Sequence, residues 1–122
     1  MQNWNLGLMK HLGVRFIETG PERVVADVEI GEHLTTLGGA VHGGTLMALA
    51  DTAGAAGTVA SGLKTATIES KTNFFAAGRA GVIRAESTWL HKGRRTQVWQ
   101  TRVTDASGKL LSLTIQTQMV LD

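Results

Sequence analysis

The spacing of apolar side chains changes along the chain and predicts where helices and strands lie. Apolar residues at helical spacing predict a short helix over residues 2–11. Residues 24–30 then alternate as a half-buried strand does, and residues 14–19 are its expected hairpin partner. Residues 31–41 have no period and contain adjacent glycines, which predicts a loop before the next element.

Residues 43–60 form the one long helical segment that we expect, because Ala and Leu dominate it and β-branched residues are few. Four strands are predicted beyond it, over residues 65–75, 81–90, 96–104 and 110–121, with a tight turn at 105–108. Strict alternation in the first of these strands would place five side chains on one face, namely Ala66, Ile68, Ser70, Thr72 and Phe74.

One long helix cannot cover both faces of so large a sheet. The order of elements therefore predicts an α+β fold, in which a strongly curved antiparallel sheet wraps around the central helix. The length of 122 residues suits one domain over 1–122 with a single core.

Composition excludes several classes of protein. The chain has no Cys, hence no disulfide, Cys-zinc site or Cys nucleophile, and its four scattered His predict no metal site. A net charge of +2 and few aromatic residues argue against nucleic-acid binding. The chain starts without the pattern of a signal peptide and has no apolar run of membrane-spanning length, so we expect a cytoplasmic protein that does not bind membranes.

The segment AVHGGTLMALADTAGAAG, residues 40–57, holds the candidate chemistry. His42, Gly43 and Gly44 precede or open the long helix, where backbone N–H groups lack intrahelical partners and can bind an anion. A glycine lets a carbonyl lie against its N–H, as stabilising a thioester oxyanion requires. Asp51 is the carboxylate of the segment, and it could act as a general base or as a nucleophile.

Asp51 follows Gly43 by eight residues, which is about 12 Å along a helix axis. One thioester cannot be held by the Gly43 N–H and attacked with help from Asp51 of the same helix. A two-fold dimer with antiparallel central helices would instead bring Gly43 of one chain near Asp51 of the other.

The stretches HGGTLMALADTAG, TIESKTNF and HKGRRTQVWQ resemble those of the hotdog-fold acyl-CoA thioesterases, above all the phenylacetate-degradation (PaaI-type) branch. The resemblance spans nearly the whole chain, and the Asp of Leu-Ala-Asp favours this branch. It implies hydrolysis of an aryl- or medium-chain acyl-CoA without a cofactor. It also implies active sites built across a homodimer at minimum, with a homotetramer as the expected assembly.

The same resemblance assigns supporting roles. Thr67 matches a position whose hydroxyl neighbours the catalytic acid, and His42 is common in the family although the acid does the chemistry. The residue six before the His is usually Asn or Gln and holds the thioester or the water. Thr36 stands there, and its shorter side chain offers one hydroxyl in place of an amide.

Positive charge is densest at His91, Lys92, Gly93, Arg94 and Arg95, at an expected strand-to-strand turn. Arginine forks suit the phosphates of coenzyme A, although a charged hairpin tip is the plainer interpretation. Two other functions stay open on the same fold. One is an acyl-thioester hydratase or dehydratase, which would need His42 and Asp51 paired across a dimer. The other is a non-catalytic acyl-CoA binding module.

Overall fold

The elements follow the predicted order, one short helix, two strands, one long helix and four strands. The structure, a computed structural model, describes residues 4–122. Its α-helices and strands are α1 (Gly7–Leu12), β1 (Arg15–Thr19), β2 (Arg23–Glu29), α2 (Gly43–Ala60), β3 (Lys64–Phe74), β4 (Val82–Lys92), β5 (Thr96–Thr104) and β6 (Leu110–Leu121). The segment 31–41, expected to be a loop, contains one 3₁₀ turn over Glu32–Leu34. Helix α1 begins later than expected, and residues 2–3 of that prediction lie outside the described residues.

All six strands belong to one antiparallel sheet in the order β1-β2-β4-β5-β6-β3. Helix α2 contacts every one of these strands, so the sheet curves around it. The predicted α+β fold with a wrapped central helix is confirmed. Strand β3 lies at one edge of the sheet, beside β6. Among the described residues, no helix is both long enough and apolar enough to cross a membrane.

Two glycines of α2 let the sheet approach the helix closely. A Cβ at Gly57 would overlap the six-membered ring of Trp99, which is fully buried. A Cβ at Gly54 would lie 2.5 Å from the side-chain amide carbon of Gln116, which is also fully buried. Small residues here therefore make room for large side chains from β5 and β6.

The inner face of the sheet is divided between apolar and polar side chains. Strands β2 and β4 supply apolar residues that pack with α2, among them Val24, Val28 and Ile83. In the middle of β6, four successive inward positions are polar, although they are just as deeply buried. These positions are Ser112, Thr114, Gln116 and Gln118.

Strand β3 departs from strict alternation, and the predicted face of five residues is wrong. The register with β6 shifts between Thr67 and Glu69. Before this bulge Thr67 bonds to a residue of α2, and beyond it Phe74 lies against α2, so odd and even positions both reach the helix. One inserted residue moves all later side chains of a strand to the opposite face of the sheet. A prediction from alternating sequence positions cannot locate such a residue.

Candidate active site

Helix α2 starts with a histidine cap. His42 has extended backbone angles, and its Nδ1 accepts a hydrogen bond of 2.7 Å from the Gly44 N–H. The Gly43 N–H has no partner within the part of the chain that the structure describes. Gly44 was a predicted binding residue, but its N–H is occupied by this cap. The free donor at the helix start is therefore Gly43.

Phe74 of β3 lies against the start of α2. A Cβ on Gly43 would be 3.2 Å from two ring carbons of Phe74, and the Phe74 side chain is 51% exposed. The unpaired Gly43 N–H therefore lies beside the accessible aromatic ring of Phe74. Thr36 belongs to the exposed turn that precedes this helix start, where its N–H bonds to the Ala40 carbonyl at 2.8 Å.

Asp51 is partly buried in the middle of α2 and is held by two strands. The Thr67 hydroxyl of β3 donates to Asp51 Oδ1 at 2.6 Å. Gln116 Nε2 of β6 donates to the Asp51 carbonyl at 2.9 Å and reaches Oδ1 at 3.4 Å. Among the described residues, none donates to Asp51 Oδ2. The carboxylate is therefore oriented through one oxygen and has the other available.

A second layer of hydrogen bonds supports Thr67. Gln118 Nε2 lies 2.7 Å from Thr67 Oγ1, and Gln118 Oε1 lies 2.9 Å from the Thr65 hydroxyl. Sequence reasoning missed both Gln116 and Gln118. The available signal was their spacing, since two glutamines sit at alternate positions on the same face of a strand.

The structure brings together Asp51 and Thr67, a pair that the family resemblance implied. It does not bring Gly43 to Asp51 within one chain. Helix α2 is continuous from Gly43 to Ala60, so the separation of about 12 Å along its axis remains. In one chain the unpaired N–H and the carboxylate therefore lie too far apart to act on the same carbonyl group.

The stretch His91–Arg95 divides into an anchored part and an accessible part. Lys92 Nζ donates to the Pro21 carbonyl at 2.7 Å and lies 3.5 Å from Glu22 Oε1, at the turn between β1 and β2. The Trp89 indole N–H donates to the Glu22 carboxylate, and this bond and then Lys92 lower the pKa of that carboxyl. Lys92 therefore ties two turns together.

The remaining residues of the stretch are more accessible. The Gly93 N–H closes the turn on the Thr96 carbonyl at 2.8 Å, and the His91 ring lies against Gly93. Arg94 and Arg95 are exposed and line a groove with the end of β6. The Arg95 carbonyl accepts from the N–H of Val120, two residues beyond Gln118. These arginines thus lie toward the Asp51 end of the site.

Within residues 4–122, no three His, Asp or Glu side chains are close enough together to hold a metal ion.

The model of the thioesterase superfamily matches residues 38–112, which is more than half of the chain. The chain belongs to the thioesterase superfamily. The matched segment contains Gly43, Asp51 and Thr67, the residues around which the site is built. The predicted hotdog thioesterase family is confirmed, and with it the prediction of an enzyme that hydrolyses thioesters.

Several proteins resemble this thioesterase. A 1,4-dihydroxy-2-naphthoyl-CoA hydrolase from Listeria monocytogenes is 30% identical over 111 residues, which is 88% of this chain and 90% of that protein. The structure of a thioesterase from Haemophilus influenzae has a TM-score of 0.87 and 27% identity, covering 93% of this chain and 82% of that one. The PaaI protein of the Escherichia coli phenylacetic acid degradation operon has a TM-score of 0.91, covering 97% and 86%. Its identity of 24% shows the shared fold alone.

Proposed function

We propose that this thioesterase hydrolyses an aryl- or medium-chain acyl-CoA to the free acid and coenzyme A, without a cofactor. The observation that carries the proposal is the arrangement on α2, an unpaired Gly43 N–H and an oriented Asp51 carboxylate about 12 Å apart. Acyl-CoA is also the substrate class in the name of the similar Listeria hydrolase.

In the proposed site, Gly43 of one subunit and Asp51 of the other act on one thioester. The Gly43 N–H donates to the carbonyl oxygen as negative charge develops there. As a general base, Asp51 takes a proton from water, the hydroxide adds to the carbonyl carbon, and coenzyme A leaves as a thiolate that regains the proton. As a nucleophile, Asp51 Oδ2 adds directly, expels the thiolate and forms a mixed anhydride that water hydrolyses.

A homodimer is the smallest assembly that this proposal allows. A two-fold axis beside β3 would set two α2 helices antiparallel, and β3 has a free edge on that side of the sheet. A homotetramer needs a second contact surface. The outer face of β6 supports it, because Ile115 and Met119 are each 40% exposed there and Leu121 is 41% exposed.

The acyl group and the coenzyme A phosphates would bind to different kinds of side chain. The acyl group would lie against Phe74 beside Gly43, an aromatic surface that suits an aryl or alkyl chain. The phosphates of coenzyme A would bind the exposed Arg94 and Arg95, near the Asp51 of the same subunit.

The first experiment measures thiol release from phenylacetyl-, hydroxyphenylacetyl-, benzoyl-, hexanoyl- and decanoyl-CoA. We expect turnover of at least one ester, and a fall of about a hundredfold or more in kcat for Asp51→Asn, as for loss of a catalytic base. Asp105→Asn is the matched control, since Asp105 lies in the turn between β5 and β6. Tight binding without thiol release would indicate a binding module. A separate assay with an enoyl-CoA tests for a hydratase, which would remove the double bond without releasing thiol.

Mixed dimers test whether the site spans two chains. Gly43→Pro removes the N–H yet suits the first position of a helix, and Gly43→Ala keeps the N–H as its control. Asp51→Asn and Gly43→Pro chains should each be inactive alone. After unfolding and refolding together, half of the dimers are mixed and hold one intact site, so about a quarter of wild-type activity should return. No recovery, with mixed dimers demonstrated by mass spectrometry, would contradict a shared site.

A single turnover in H₂¹⁸O with excess enzyme tests the role of Asp51. The label enters the free acid if Asp51 is a base, and it enters the Asp51 carboxylate if Asp51 is a nucleophile and water attacks the aspartyl carbonyl of the anhydride. Attack at the acyl carbonyl of the anhydride would also label the acid, and mass spectrometry of the quenched enzyme separates this case from the base, because only the nucleophile gains the mass of the acyl group.

A further inference from the structure

Of the two buried glutamines of β6, Gln116 bonds to Asp51 itself, whereas Gln118 bonds only to residues around it. Gln118 is fully buried, and its amide lies between two hydroxyls of β3, those of Thr65 and Thr67. We propose that Gln118 is a positioning residue, which orients the Thr67 hydroxyl so that its proton points at Asp51. The proposal rests on the function assigned above to Asp51.

Proton counting gives the direction of these hydrogen bonds. An ionised carboxylate only accepts, so the one proton of Thr67 must lie in its 2.6 Å contact with Asp51 Oδ1. Toward Gln118, Thr67 Oγ1 can then only accept, and the amide must present Nε2 there at 2.7 Å. The amide oxygen therefore faces Thr65, whose one hydroxyl proton lies between it and the Met119 carbonyl, each at 2.9 Å.

The Thr67 hydroxyl is therefore held by two neighbours, Asp51 and Gln118. A threonine hydroxyl turns its proton to suit its partners, so a donor on its oxygen limits the directions in which that proton can point. With Gln118 donating to it, the Thr67 hydroxyl has one orientation that satisfies both neighbours. It holds Asp51 Oδ1, and the reaction is left to Oδ2 of the same carboxylate.

The chain offers a matched control for this role. Gln97 of β5 lies directly opposite Gln118 in the sheet and is 4% exposed. Its Oε1 accepts from the Thr58 hydroxyl at 2.9 Å and from the Trp99 indole at 3.0 Å. Gln97 thus resembles Gln118 in residue type, burial and position, but its bonds do not lead to Asp51.

The kinetic test compares Gln118→Met, Thr67→Val, their double variant and Gln97→Met. We expect Gln118→Met and Thr67→Val each to lower kcat by about tenfold to a hundredfold, because each weakens a hydrogen bond to the charged Asp51 carboxylate. KM should change by less than about twofold. The double variant should be no slower than Thr67→Val, since Gln118 acts through Thr67. Thr67→Ser should recover most of the rate, and Gln97→Met should keep kcat.

Two kinetic results would overturn the proposal. One is a Gln118→Met variant with wild-type kcat. The other is a double variant whose loss equals the product of the two single losses, because Gln118 would then act independently of Thr67.

Neutron crystallography separates this proposal from the proposed function, because it locates the deuterium of the exposed Thr67 hydroxyl directly. The deuterium should point at Asp51 Oδ1 in wild type and in Gln97→Met, and away from it in Gln118→Met, whether or not the protein turns over any ester. If wild type releases no thiol but the deuterium behaves in this way, the function fails and the positioning role stands. A deuterium that still points at Asp51 in Gln118→Met refutes the positioning role.

Discussion

Replacing Gly57 by Ala should destabilise the protein, although the same change stabilises most helices. In a helix interior, Ala is favoured over Gly by about 0.5–1 kcal/mol. At Gly57 the added Cβ would overlap the ring of Trp99, which is fully buried and donates its indole N–H to Gln97 at 3.0 Å. Moving the ring away would strain that bond and the surrounding packing.

Overpacking of this kind costs about 1–3 kcal/mol. Subtracting the helix gain leaves a net destabilisation of about 1 kcal/mol, with a range of roughly 0–2.5 kcal/mol. Urea unfolding followed by circular dichroism measures this as a lower midpoint with an unchanged slope. Protein concentration must be held fixed, because an oligomer's stability depends on it.

The control combines Gly57→Ala with a smaller side chain at position 99. Trp99→Phe removes the part of the indole that the Cβ would meet. In that background, Gly57→Ala should gain stability by about 0.5–1 kcal/mol. A Gly57→Ala variant of the wild type with a higher midpoint would show that the ring moves freely and that the steric reasoning is wrong.

Two further predictions concern charged side chains. Replacing both Arg94 and Arg95 by Met should raise KM for acyl-CoA about tenfold or more and leave KM for the matching N-acetylcysteamine thioester unchanged, since that substrate lacks phosphates. Equal effects on both thioesters in steady-state kinetics would argue against phosphate binding there. The pKa of Asp105 is lowered from 3.8, first by the Ser107 hydroxyl, so ionised Asp105 stabilises the folded state above about pH 4. In urea titrations the stability advantage of wild type over Asp105→Asn should be full at pH 7 and decline as pH falls through the lowered pKa; an advantage that grows in acid would refute the assignment.

The sequence predicted most of the fold from local signals. The bounds of α2, β5 and β6 agree with the structure, because Ala and Leu dominate the whole of α2 and the tight turn at 105–108 separates the two strands. The bulge in β3 lay beyond that reasoning, because a single extra residue at Thr67–Glu69 carries no distinct composition.

The sequence predicted those site residues that lie close together along the chain. His42, Gly43 and Asp51 share one short segment, so their spacing along a helix could be worked out. Gln118 could not be found in the same way, because its role depends on register with β3, 51 residues away. Lys92 shows the converse. The sequence predicted that Lys92 is available to bind phosphate, but its ammonium group bonds to the carbonyl of Pro21, 71 residues earlier in the chain.

The divided inner face of the sheet bears on how such a protein can change over time. Val24, Val28 and Ile83 lie in the apolar half, which contributes most to stability. The polar half holds Asp51 and its supporting bonds. Because the polar half is just as deeply buried, a substitution there would leave a hydrogen-bonding partner unpaired and lower stability and rate together. Substitutions in the apolar half would mostly lower the amount of folded protein. New substrate preferences are therefore expected to arise outside both halves, at exposed side chains beside the site such as Phe74.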